Sequence, residues 1–547
     1  LQQITLPGNL ITIGSSAFSE SGLTSILIPE SVTSVKYEAF SGSGLVSVKF
    51  ANEKQNGETV LDNRVFAGCT NLESIELSEN IVEMGGGLIE ETKVESVIVP
   101  KSVKKFDRQA GGSSSQYEDG NWIDYYGGVF SRTSYLKEII FEEGTETILA
   151  SIAEGAQSVE RVVIPEGVKI IEDAAFRNAT SLTQITFPKS LTTIGEYAFR
   201  NAASLTQVIL PEGLTTIGNA AFMGATSLAQ VTLPESLTVI ERNVFRGDTS
   251  LTQITLPETI TTIGACAFFD SGLTTIAIPK SVTRIEDAAF AESQLTKAEF
   301  CEGEENTEVV LGFSVFSDCK NLESVKLSGN IVEIGGCLIS GTKVERIVIP
   351  KSVKNCVYVS AGNCEEDGVW VQGYEIGVLG EAPNLKEIIF EEGIEEIPGH
   401  IAERAKNIEE ISIPETVKVI GDAAFKDTFN LKQITLPEGL TTIGDSAFKG
   451  TGLTQVTLPE GLTTIEYGAF MESGLTSIVI PKNVTKIGTN AFKKSQLMSV
   501  KFCEGVEDTW VTMGATVFAN CESLETVELS DNIVSIGGGL IAGTKVE

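Results

Sequence analysis

Short apolar alternations recur along the whole chain, and most of them end in proline. In Leu182-Thr183-Gln184-Ile185-Thr186-Phe187-Pro188 the residues Ile185 and Phe187 share one face while Thr186 takes the other, the period-two pattern of a half-buried strand. Pro188 ends the run because it has no N–H to give to a ladder. Leu191-Thr192-Thr193-Ile194-Gly195 predicts a second, weaker extended run, and Phe199 closes the unit from the opposite side. Pro188, Pro211, Pro234 and Pro257 stand 23 residues apart, and Phe199, Phe222, Phe245 and Phe268 follow them by 11.

Fourteen of the 16 prolines keep this register, while Pro383 and Pro398 lie off it. Ala51, Ser78, Glu142, Cys301, Ser328, Glu391, Cys503 and Ser530 fill the same slot after equivalent alternations, which brings the count to 22 units. Such a unit cannot bury its apolar face alone and must stack on its neighbours. The expected fold is a leucine-rich repeat solenoid of about 22 stacked units of 22–23 residues, with short parallel strands, mostly β and turn, and of right hand. The 547 residues then form one solenoid domain over 1–547, because a repeat array grows along one axis, with long insertions at 104–129 and 354–378. Leu1 begins inside a unit, and Gly543–Glu547 repeats Gly341–Glu345 where the next strand is due, so a piece of a longer protein is expected.

The third residue after the Phe column is Ala, Ser, Thr or Cys in every unit except at Asp248, as close backbone packing requires. Cys69, Cys319 and Cys521 stand in this column and read as small buried thiols. Nine cysteines exclude a complete disulfide framework, although Cys356 and Cys364 are close enough in sequence for a local bond in an oxidising compartment.

Leu431 to Phe448 reads Leu-Lys-Gln-Ile-Thr-Leu-Pro-Glu-Gly-Leu-Thr-Thr-Ile-Gly-Asp-Ser-Ala-Phe and resembles the BspA-like leucine-rich repeat family, a likeness that extends over essentially the whole chain. The resemblance implies an extracellular or cell-surface protein, often an adhesin, whose partner is a protein or glycan on another cell or on matrix. It does not name the ligand, since consensus residues build the scaffold and variable ones choose the partner.

A longer repeat overlies the short one: Val65–Ser74 returns at Val315–Ser324, and a third copy starts at Val517. The long insertions fall in the same unit of the first two blocks, and Trp122, Tyr125, Tyr126, Trp370 and Tyr374 lie in them. The third tryptophan, Trp510, lies in a smaller insertion before Phe518. Repeat-protein insertions often form the binding face, and Trp and Tyr dominate interface hot spots, so these five residues are candidate partner contacts. The alternative is that they pack on the solenoid edge. Glu118-Asp119-Gly120-Asn121-Trp122, matched by Glu366-Asp367-Gly368-Val369-Trp370, predicts a hairpin tip; the other reading, a calcium loop, lacks alternating oxygen ligands.

A second candidate surface lies in the outward strand column. Most members are polar, but Ile98, Ile140 and Val163 follow one another, and Val348 and Ile389 take matching places in the second block. Such a strip marks an interaction site unless the neighbouring insertion folds over it.

A net charge of −34 repels nucleic acid and anionic membranes, and no apolar run is long enough to span a bilayer. The sequence therefore predicts no nucleic-acid partner and no membrane insertion of this piece. Paired threonines such as Thr192-Thr193 and Thr441-Thr442 admit an ice- or crystal-templating ladder, while Asn178-Ala179-Thr180 and Asn483-Val484-Thr485 match the glycosylation pattern. The single histidine, His400, reads as an ordinary turn residue, and no zinc, phosphate-loop or dinucleotide motif stands in its required context. No enzyme activity, cofactor or metal is expected. The two functions left are a recognition or adhesion protein and a structural spacer or self-assembling surface filament.

Overall fold

The computed structural model describes all residues except 1, 52–56, 108–113, 119–120, 126, 303–306, 359–375, 505–509 and 547, and gives the backbone alone at 107, 114–118 and 121–125. The chain divides into two compact units between Leu273 and Thr274. Each is a parallel-strand β-solenoid, with no helix among the described residues, and together they hold about 21 turns, close to the 22 units counted in the sequence.

Most regular turns carry the two strands their pattern predicts, although residues 251–257, 431–437 and 453–459 form no first strand. In the first unit Gln207–Ile209 pairs in parallel with Gln230–Thr232, and Thr193–Ile194 with Thr216–Ile217. The registers are whole repeats, so Val208 lies over Val231 and Ile194 over Ile217 and the inward columns stay inward. A register slip by one residue would turn these apolar columns to solvent.

The Phe column is a stack. Phe176, Phe199, Phe222, Phe245 and Phe268 are fully buried, with successive ring centroids 5.3, 5.3, 5.9 and 5.5 Å apart and nearly parallel planes. In the second unit Phe425, Phe448, Phe470, Phe492 and Phe518 repeat it at 5.5, 5.2, 5.3 and 5.6 Å.

Two left-handed residues flank most of these phenylalanines. Around Phe199 they are Tyr197 (φ 56°) and Asn201 (φ 58°), and around Phe222 they are Ala220 (φ 51°) and Gly224 (φ 74°). The left-handed steps let alternate amides of the turn reach forward: Tyr197, Phe199 and Asn201 N–H donate to the Asn219, Ala221 and Met223 carbonyls. The strands donate the other way, Thr192 to Lys169 and Gly195 to Ile171. Every turn is therefore tied to both neighbours through its backbone, and the residue after the tie must be small. Ala179, Ala202 and Ala225 fill that column without exposure. Cys69, Cys319 and Cys521 sit there as donors to the Phe40, Phe290 and Phe492 carbonyls at 3.1 Å, and burial pushes the Cys319 thiol up to about 11.

The long insertions interrupt the second ladder. In the first unit one sheet ends at Lys105–Asp107 and the next begins at Thr147–Ile148; in the second unit Asn355–Val357 and Glu396–Ile397 are likewise unpaired with each other. The off-register Pro398 fits this break. Its equivalents Gly195, Gly218 and Gly421 each donate their amide to the preceding turn, and at Pro398 that turn offers no paired strand.

Candidate recognition surface and the His400 cluster

The first insertion is a hairpin. Ser114–Glu118 pairs antiparallel with Asn121–Tyr125, Tyr117 opposite Trp122 and Ser114 opposite Tyr125, as Asp119-Gly120 predicted. The hairpin tip, with the calcium reading attached to it, lies outside the described residues, as do Tyr126, Trp370, Tyr374 and Cys364. Trp510, whose side chain is described, is 57% exposed.

The outward strip forms in register. Ile98, Ile140 and Val163 are successive Cα partners across three parallel strands, Ser96–Val99, Glu138–Phe141 and Arg161–Val163. Ile98 is 56% exposed and the other two are half-buried. Ion pairs rim the strip, Arg161 with Glu138 at 2.8 Å and Lys137 with Glu160 at 2.6 Å. In the second unit Val348 pairs with Ile389 and Ile389 with Ser412, so the matching strip ends one turn sooner. The turn before it is charged: Lys326 lies 3.5 Å from Glu302 and 3.9 Å from Glu299.

The paired threonines do not offer a free hydroxyl ladder. Thr192, Thr215, Thr261, Thr441 and Thr463 each donate their hydroxyl to a carbonyl of the preceding turn. The acceptor asparagines are also engaged. Asn178 Oδ1 accepts from Asn201, and Asn483 donates its side-chain amide to the Glu460 carbonyl at 2.7 Å.

Sequence reasoning took His400 for an ordinary turn residue. It takes one of the left-handed positions (φ 58°), stacks on Tyr358 at 4.3 Å between ring centroids, and places Nδ1 2.6 Å from Glu403 Oε2. Glu403 is fully buried and its other oxygen accepts from Lys426 Nζ at 2.6 Å. Burial favours the neutral acid, but the hydrogen bonds from His400 and Lys426 outweigh it and hold the carboxyl below the ordinary range. The buried Glu154–Arg177 pair takes the same place in the first unit. The signal for both was the Phe column itself, where Ala153 and Ala402 replace the ring directly before Glu154 and Glu403.

Cys356 borders this cluster; burial, and then Glu333, push its thiol up. No group of three or more His, Cys, Asp or Glu that could hold a metal occurs among the described residues, and no helix there is long and apolar enough to cross a membrane.

The fold defines a leucine-rich repeat protein. The sequence matches the BspA type leucine-rich repeat region, in six copies over residues 1–117, 124–252, 238–365, 395–509 and 506–547, and the chain belongs to that family. No curated protein matches it. Among solved structures it is similar to a leucine-rich repeat protein from Bacteroides ovatus, at 19% identity over 82% of this chain and 84% of that one, with a TM-score of 0.36. A leucine-rich cell surface protein from Faecalibacterium prausnitzii is 18% identical over 89% and 88% (TM-score 0.23), and the pneumococcal vaccine antigen PcpA 18% identical over 80% and 80% (TM-score 0.24).

Proposed function

We propose that this chain is a recognition protein of a cell surface or the extracellular space, binding a protein or glycan on another cell or on matrix through its aromatic loop insertions and the strip of Ile98, Ile140 and Val163. The observation that carries this reading is the register of the strip. Three apolar side chains face outward on adjacent strands, whereas in the same column Leu27, Ile209 and Val479 pair with Lys49, Thr232 and Lys501 respectively, and the turn that bears Ile98 also bears the Trp122 hairpin. Exposed contiguous apolar area rimmed by polar residues is the usual mark of an interface. A repeat scaffold of this family suits binding better than catalysis, and the reading assigns no catalytic residue.

The test is a screen of the full chain against matrix proteins and glycans, repeated with Ile98→Asp and with Trp122→Ala. Each change should weaken capture by about 2 kcal/mol or more, the scale of an interface anchor. Capture unaltered in both variants, and again after deletion of both long insertions, would instead support the spacer or filament.

A further inference from the structure

The break in the second ladder of the second unit opens a cleft of about 800 Å³. One wall is the strand Asn355–Val357, which pairs with the strand Ile331–Gly335 behind it but not with the turn ahead. The other wall is built on Glu396–Ile397 and Val419–Ile420, with Asp422, Asp445 and Glu466 along its rim and the His400 ring, braced by Tyr358 and Glu403, at its side. Two sheet edges that do not meet leave main-chain groups facing the gap, the situation in which a strand-like segment is added.

The first block differs from the second at the positions that make this cleft. Phe106 stands where Cys356 is, Thr147 where Glu396 is, and Ser151 where His400 is. The second unit has therefore exchanged a large ring for a small thiol on one wall and a hydroxyl for a carboxylate on the other. The rim carboxylates also crowd one another: burial, then Asp422 and Glu466 as neighbouring charges, push the Asp445 carboxyl up despite the bond it accepts from the Tyr467 amide and despite Lys486, which pairs with Glu466 at 2.7 Å. A cationic occupant would relieve that repulsion, and an anionic one would add to it.

We propose that this cleft binds an extended peptide segment bearing lysine or arginine side chains, its backbone along the unpaired strand edges and its cations on Glu396, Asp422 and Asp445. The site is separate from the Ile98 strip, so the two proposals stand or fall independently.

The experiment measures binding of fluorescein-labelled hexalysine, hexaglutamate and a Gly-Ser hexapeptide to the full chain at low salt. Asp422→Asn with Asp445→Asn removes two rim charges but keeps the Oδ1 atoms that accept the Asp445 and Tyr467 amides, so the turns retain their caps. Glu396→Gln, on an exposed strand position, is the second variant. Asp173→Asn with Glu196→Gln removes two charges from the corresponding turns of the first unit and serves as control. Hexalysine should bind the native chain and the control alike, and roughly tenfold more weakly to the double variant, as expected from lost charge-assisted contacts. Equal weakening in the control, equal binding of the Gly-Ser peptide, or no binding of hexalysine to the native chain would each overturn the proposal.

Discussion

His400 Nδ1 lies 2.6 Å from Glu403 Oε2, and the same buried carboxylate takes Lys426 Nζ at 2.6 Å on its other oxygen. One charge thus ties two turns together and fixes a third side chain, Tyr358, through ring stacking.

Because Glu403 is held below its ordinary pKa, it contributes stability above the unfolded value of about 4.3, and that contribution is lost as pH falls through the folded value. Glu403→Gln should cost about 1–3 kcal/mol at neutral pH, the range for hydrogen bonds to charged groups, and much less near pH 3. Denaturant unfolding of the full chain at the two pH values checks it. An equal loss at both would show that shape, not charge, holds the cluster.

The stacked phenylalanines give a second expectation. Phe199→Ala leaves a ring-sized cavity between Phe176 and Phe222 and should cost about 3–5 kcal/mol. Each turn is tied to both neighbours, so amide exchange should quicken around residues 176–222 before it quickens in the second unit. Uniform acceleration along the chain would contradict a locally propagated defect.

Left-handed positions filled by non-glycine residues hold stored strain. Ala423 has φ 50° and is nearly buried, whereas Ala424 next to it has no such conformation. Ala423→Gly should be neutral or stabilising by up to about 1 kcal/mol, because release of the left-handed cost exceeds the entropy that glycine adds. Ala424→Gly should destabilise by about 1 kcal/mol. Thermal melts of the pair measure the contrast, and the reverse order would show that the left-handed conformation costs nothing here.

The strands and the Phe column were legible because each is a repeated choice of residue type. Ile98, Ile140 and Val163 could be placed together from sequence because the register equals the repeat. The left-handed column before the phenylalanine was not legible, since Tyr197, Ala220, Cys266 and His400 share a conformation but no composition. His400, Tyr358 and Cys356 escaped for a different reason: they meet only where the insertion breaks the sheet, and a repeat pattern says nothing about a place where the repeat fails. The insertion itself and the off-register Pro398 were the visible traces of that break.

Asp248 is the exception in the small-residue column, and its surroundings predict the direction of a substitution. It is fully buried; Oδ1 accepts the Ala225 amide at 2.9 Å, while no hydrogen-bond partner reaches Oδ2. Burial pushes its carboxyl well above the ordinary range, and the bonds from Ala225 and Gly224 only partly offset this. A carboxyl raised in the folded state binds its proton more tightly there than in the unfolded chain. Native stability therefore falls as pH rises above the unfolded value of about 3.9, until the folded group has ionised as well. Asp248→Ala matches Ala202 and Ala225 in the same column, and the Ala225 amide keeps its contact with the Phe222 carbonyl at 3.0 Å. The variant should be more stable than the native chain by about 1–3 kcal/mol at pH 7, with the gap closing toward pH 4. Paired unfolding curves across that range decide it: a variant less stable at pH 7 would mean that the Asp248 hydrogen bond outweighs the burial of its carboxyl.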